Sequence, residues 1–213
     1  MYRNAFGGIA VGYPSAAMRL DAVAGWMRRH GVTVDVTDVD DLDWTAIARI
    51  HPSHVVMHGL DEASWPIVLG YGVSRVVVES AEQMALLGEG AARPPAVLVD
   101  VTESCIDAVS MGDSRVPIDG LHCRVERADV ADLAEIVFGL VAEMARFGHA
   151  RTAVLSRLSV GDVDLTGWDH DPRSLRDVAE TIHQAVEEAC VRLCCPRPGL
   201  TVSPRASTLL PAA

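Results

Sequence analysis

The chain contains no lysine, and all 18 of its basic residues other than histidine are arginine. No side-chain amine is on hand to form a Schiff base, so chemistry that begins with one on this chain is excluded. Aromatic residues are scarce at 5%, and no apolar stretch approaches the roughly 18 residues of a membrane-spanning helix. The opening MYRNAFGGIAVGYPSAAMRL lacks a basic region followed by an apolar run and a cleavage site, so a cytoplasmic protein is expected. The five cysteines, Cys105, Cys123, Cys190, Cys194 and Cys195, show no C-x-x-C spacing and signal neither a disulfide framework nor a zinc site. Positive charge is in deficit, with a formal net charge of -11, and such a surface repels a phosphate backbone. Nucleic acid and membrane are therefore not expected as partners.

What remains is a chain of 213 residues, 49% of them hydrophobic, enough for one substantial core. A single domain over 1–213 is expected, with 206–213 as a tail. Short valine-rich runs recur at 7–13, 32–36, 54–59, 75–80, 96–102, 120–126, 153–158 and 200–204, and their composition predicts strands. Between them, helical spacing appears over 16–30, 129–147 and 171–193, with shorter candidates at 61–69 and 81–87 and a turn or two at 103–109. Strand and helix alternate about eight times, which predicts parallel strands covered by helices. A (β/α)8 barrel of TIM type accounts for that count, with a doubly wound open sheet as the alternative; no dinucleotide fingerprint follows the first strand.

The segment DGLHCRVE, 119–126, sets His122 and Arg124 at alternate positions of a predicted strand and therefore on one face. His122 is a candidate acid/base, with Asp35 or Asp100 to orient it and Arg124 to hold an anion. No compact ligand motif supports a metal, and none is expected.

The order HVVMHG, GVSRVVVES, AVLVDVT, DGLHCRVE, a long helix, AVLSRLSVG and GLTVSPR resembles the barrel domain of the diaminopimelate and ornithine decarboxylases. These belong with alanine racemase among pyridoxal-phosphate enzymes built on a (β/α)8 barrel. The resemblance runs in diluted form from about Gly8 to Arg205, and nothing corresponds to the family's β-rich second domain. It matches Asp35 to an aspartate near the family's cofactor and His58-Gly59 to its His-Gly pair. The family's working residues are mostly replaced. The aldimine lysine falls among Gly12 to Ala16, the ring-stacking histidine at Arg124, and the acid facing the pyridine nitrogen at Ser203, followed by Pro204 and Arg205. The triple-glycine phosphate cradle falls at Ser159-Val160-Gly161 and a further phosphate contact at Arg127, while Asp100 replaces an arginine and Arg157 an aspartate.

The resemblance thus implies a divergent, alanine racemase-like barrel without covalent pyridoxal phosphate, and no cofactor is expected. The leading expectation is a non-catalytic protein holding a small anionic or amino-acid-like ligand through His58, Arg124, Arg157, Gly161, Ser203 and Arg205, with a second copy of the chain or another protein as partner. One alternative is a cofactor-independent enzyme using His122, Asp35 and Asp100. Another is weak, non-covalent binding of pyridoxal phosphate.

Overall fold

The computed structural model describes residues 2–59, 61–90, 93–102, 116–125, 129–151, 153–166 and 171–206. The turn expected at 103–109, Cys105, Glu126, Arg127 and most of the tail lie outside them. Eight strands follow in chain order: β1 (Ala10–Pro14), β2 (Thr33–Val36), β3 (Val55–Met57), β4 (Arg75–Val78), β5 (Ala96–Asp100), β6 (Ile118–Arg124), β7 (Arg157–Val163) and β8 (Gly199–Pro204). They run β1-β2-β3-β4-β5-β6-β7-β8 and close into a barrel, with parallel pairing between neighbours and from β8 back to β1. The expected closed barrel, not the open sheet, is the architecture. The helices among the described residues are α1 (Tyr2–Ala5), α2 (Asp21–His30), α3 (Asp40–Ile47), α4 (Trp65–Tyr71), α5 (Ala81–Gly90), α6 (Val130–Arg151) and α7 (Pro172–Leu193).

The chain divides into two compact units, residues 12–119 and residues 1–11 with 120–213. In the first, β2 to β5 are mostly apolar, with Thr33, Asp35, Arg75 and Asp100 the exceptions, because strands covered on both sides have little solvent face to spend on polar residues. Val34, Val36, Val55, Val76, Val77, Val78, Val97 and Val99 are completely buried. Val56, Val77 and Leu98, from three adjacent strands, form one buried cluster, and Asp35 is registered beside Val56. Tyr13 meets Trp26 of α2 edge to face at 5.5 Å.

In the second unit two 22-residue helices pack together and against the strands. The buried stripe of α6 is Leu133, Val137, Leu140, Val141, Met144 and Phe147, a spacing of three and four that keeps one face inward. In α7 the Asp171 carboxylate accepts a hydrogen bond from the Arg173 amide at 3.0 Å, and Pro172 follows at the first helical position, where its missing N–H costs nothing.

Three elements depart from the sequence reading. The predicted helix over 16–30 breaks at Leu20 into a 3-10 turn, Ser15–Arg19, and α2. The acidic stretch forming α3 has too thin an apolar stripe to read as a helix; an Asp40 amide bond to the Asp38 carboxylate turns the chain into it. The seventh strand begins at Arg157 instead of occupying 153–158, because Ala153 donates back to the Gly148 carbonyl at the end of α6 and the chain becomes extended only afterwards.

Candidate functional site

The candidate residues fall in both units. In residues 12–119, the alternation of β2 turns Asp35 to the same face as its registered neighbour Val56, and His58 follows β3 with its amide donating to Val36 O at 2.8 Å. That pairing carries the His58 ring to Asp35: Nε2 lies 3.2 Å from Oδ1, and each side chain is 14% exposed. Asp100 ends β5, is 3% exposed, and its Oδ1 accepts from the Thr102 amide at 2.7 Å.

In the second unit three registered rows cross β6, β7 and β8. The first joins Gly120, Arg157 and Gly199; the second His122, Ser159 and Thr201; the third Arg124 and Gly161. These residues share one face of the strands, while Leu121, Cys123, Leu158, Val160, Leu200 and Val202 occupy the other, as strand alternation requires. Small residues make the first face possible. A Cβ on Gly120 would stand 1.9 Å from the Arg157 carbonyl oxygen, so β6 and β7 approach this closely only with glycine there.

His122 is sealed into this stack at 1% exposure, its Nδ1 3.0 Å from Ser159 Oγ. Its ring lies over the backbone of Gly161, where a Cβ would come within 2.8 Å of Cε1. Ser159 as the group that orients the histidine was not foreseen, because a strand placed at 153–158 leaves it outside the sheet. Arg124 lies at the exposed end of β6. Arg157, by contrast, opens β7 at the level of Gly120, four residues or about 13 Å of strand before Gly161. The two arginines are therefore not brought together.

Within β7, where its register against β8 shifts between Val160 and Val163, the positive φ belongs to Asp162, at 57°, and not to Val160. Ser203 is buried in β8 at 7% exposure. Next to it, the Arg205 amide donates to Val163 O at 3.0 Å; its guanidinium reaches the Asp162 carbonyl at 3.5 Å and the Asp164 carboxylate at 4.0 Å. Among the described residues, no group of three or more His, Cys, Asp and Glu is placed to hold a metal ion, and no helix is long and apolar enough to cross a membrane.

No family model matches the sequence. A diaminopimelate decarboxylase from Actinosynnema pretiosum subsp. auranticum is 31% identical over 103 residues, which cover 47% of this chain and 24% of that protein. Among solved structures, a diaminopimelate decarboxylase from M. jannaschii superposes with a TM-score of 0.83 at 14% identity, covering 98% of this chain and 58% of its own. A lysine/ornithine decarboxylase from Vibrio vulnificus, complexed with cadaverine, gives 0.78 at 14% identity, covering 96% and 57%. The arginine decarboxylase of Paramecium bursaria Chlorella virus, bound to agmatine, gives 0.78 at 8% identity, covering 97% and 60%. The chain thus spans less than two thirds of the length of each of these proteins, and over that part it carries their alanine racemase-like barrel fold.

Proposed function

We propose that this chain is a non-catalytic, decarboxylase-like barrel that binds a small anionic or zwitterionic metabolite at the C-terminal ends of β6 to β8, without covalent pyridoxal phosphate. The observation that carries this reading is the gradient along β6: a sealed His122–Ser159–Gly161 stack ends in Arg124, an exposed cation on the same face. Strand ends of this kind are where barrels take their ligands. The guanidinium suits a carboxylate, with two parallel N–H donors and a permanent charge.

The residues present do not fit pyridoxal phosphate. No lysine is available for an aldimine. The end of β7 and the residue after it carry Asp162 and Asp164, carboxylates that repel a phosphate dianion, and Arg205 is already engaged there. The burial of His122 supports binding over acid/base catalysis, since a ring at 1% exposure whose Nδ1 is held by Ser159 meets no substrate from solvent.

Calorimetry with a panel of amino acids, dicarboxylates and diamines tests the reading. At least one anionic or zwitterionic compound is expected to bind, and Arg124→Gln to weaken it about tenfold or more, the loss of one charge-assisted hydrogen bond. Pyridoxal phosphate is expected to leave no protein-bound absorbance after gel filtration. Binding of diamines alone, or of no compound in the panel, overturns the proposal. Turnover of a bound compound that disappears in His122→Asn replaces it with the enzymatic reading.

A further inference from the structure

The end of α7 reads ACVRLCCPRP, residues 189–198, with three cysteines in six positions. The helix stops at Cys194, which is left-handed at φ 50° and ψ 41°. The next amide, Cys195 N–H, folds back on the Cys190 carbonyl at 3.2 Å. This is the six-to-one closure of a Schellman motif, in which the side chains three residues before the cap and one after the left-handed residue touch, usually as an apolar pair. Here both are cysteines, and the Cys190 thiol donates to the carbonyl of Pro196, the residue after Cys195, at 3.8 Å. Cys194, between them in the chain, is the exposed one and turns its sulfur to the Val191 carbonyl at 3.8 Å. Beside the turn lies a mainly apolar cavity of about 410 Å³ whose walls include Met144, His149, Leu155, Cys194, Cys195 and Pro198.

We propose that Cys190 and Cys195 form a redox-active dithiol that closes reversibly to a disulfide by exchange with a low-molecular-weight disulfide, entered through Cys195 from the cavity. The Cys195 thiolate attacks one sulfur of the small disulfide, forming a mixed disulfide and releasing one small thiol. The Cys190 thiolate then attacks the Cys195 sulfur, and the second small thiol leaves. Two protein thiols are oxidised and one external disulfide is reduced to two thiols, so atoms and electrons balance. The i to i+5 backbone bond draws the two residues together at the turn, and closure then needs the Cys190 sulfur to rotate from the Pro196 carbonyl toward Cys195.

Burial, followed by the charge and the hydrogen bond of Cys195, pushes the Cys190 thiol up to about 11. Cys190 therefore keeps its proton at neutral pH while Cys195 is reduced. Capping Cys195 in the mixed disulfide removes its charge but leaves burial, the larger cause, so ionisation of Cys190 limits the second attack. Closure should still accelerate with pH, by up to about tenfold per unit while ionisation limits it.

The test is incubation of the purified chain with excess oxidised glutathione, followed by intact-mass and peptide analysis. Trypsin cuts after Arg192, between Cys190 and the Cys194-Cys195 pair, so a closed bridge joins two peptides that otherwise separate. The expected result is a loss of two hydrogens, the linked peptide pair, and reversal by dithiothreitol. Cys194→Ser should keep the link, and Cys190→Ser or Cys195→Ser should replace it with a glutathione adduct. A folded wild-type chain that gains only adducts and no link at pH 8.5 overturns the proposal. A link that survives Cys195→Ser also overturns it, since the bridge then belongs to Cys194.

Discussion

The strands of residues 12–119 and those of residues 120–213 solve the same packing problem with different materials. In the first unit the cluster of Val56, Val77 and Leu98 fills one face with branched aliphatic side chains, the ordinary content of a barrel strand. In the second, the corresponding alternation presents Gly120, His122 and Arg124 beside Arg157, Ser159 and Gly161. Aliphatic side chains gain from burial and accept any neighbour of suitable volume. A buried imidazole needs a hydrogen-bond partner, and its flat ring needs space that a glycine provides. The first unit is therefore robust to identity but sensitive to volume, whereas the second depends on particular residues at particular rows.

The sharpest way to break this comparison is to change volume by small amounts in each unit. Gly120→Ala places a methyl 1.9 Å from a backbone oxygen that cannot rotate away. It is expected to cost about 3 kcal/mol or more, a melting temperature lower by roughly 6–12 °C for a chain of this size. Leu98→Ala removes most of a side chain that is 2% exposed and should cost about 3 kcal/mol by leaving a cavity. Val77→Ile in the same cluster should cost less, about 1–2 kcal/mol, because aliphatic neighbours can rotate to make part of the room. Calorimetric or chemical denaturation measures all three. If one added methyl is tolerated at residue 120 and rejected at residue 77, the contrast is reversed and the argument fails.

A smaller effect probes the ring-on-glycine contact itself. Gly161→Ala should cost about 2 kcal/mol, because its Cβ enters the space of the His122 ring. In a His122→Ala background the same change should cost almost nothing, giving a coupling energy of about 2 kcal/mol in a double-mutant cycle. Additive effects would mean that the backbone of β7, and not the imidazole, fixes the glycine.

The barrel was legible because its signal is carried by composition: valine-rich runs at regular spacing survive an uncertain boundary. The site was less so, because it depends on register, which sequence periodicity does not supply across strands. His122 and Arg124 share a face by alternation within one strand, and that much could be read directly. Pairing His122 with Ser159 required knowing that β7 starts at Arg157, and the apolar residues Ala153, Val154 and Leu155 drew the predicted strand too early. Arg124 and Arg157 were each named as a cation for the ligand, and the register puts them four residues apart along the strands. The Asp35–His58 contact was missed for a different reason. Both residues were identified singly through the resemblance, but neither spacing nor charge says that a histidine beyond the end of β3 turns back toward β2.

The least disruptive test concerns charge at the surface of the first unit, at the turn before α4, where an acid is held by a near neighbour in sequence. The Asp61 carboxylate accepts hydrogen bonds from the Ser64 hydroxyl and, at 2.8 Å, from the Ser64 amide just before α4. Ser64, first through its hydroxyl and then through its amide, holds the acid below its ordinary value of 3.8. A depressed folded-state pKa contributes stability that is present above that ordinary value and lost as the pH falls through the lower, folded one. Ser64→Ala removes the larger cause and leaves the amide, so the Asp61 midpoint followed by carboxyl-carbon NMR should rise toward 3.8 without reaching it. The mid-pH melting temperature should hardly move, because the group is fully exposed. An unchanged midpoint would show that the hydroxyl is turned to water, and that local pairing of the kind contrasted here with the cross-strand pairing of His122 does not hold at this turn.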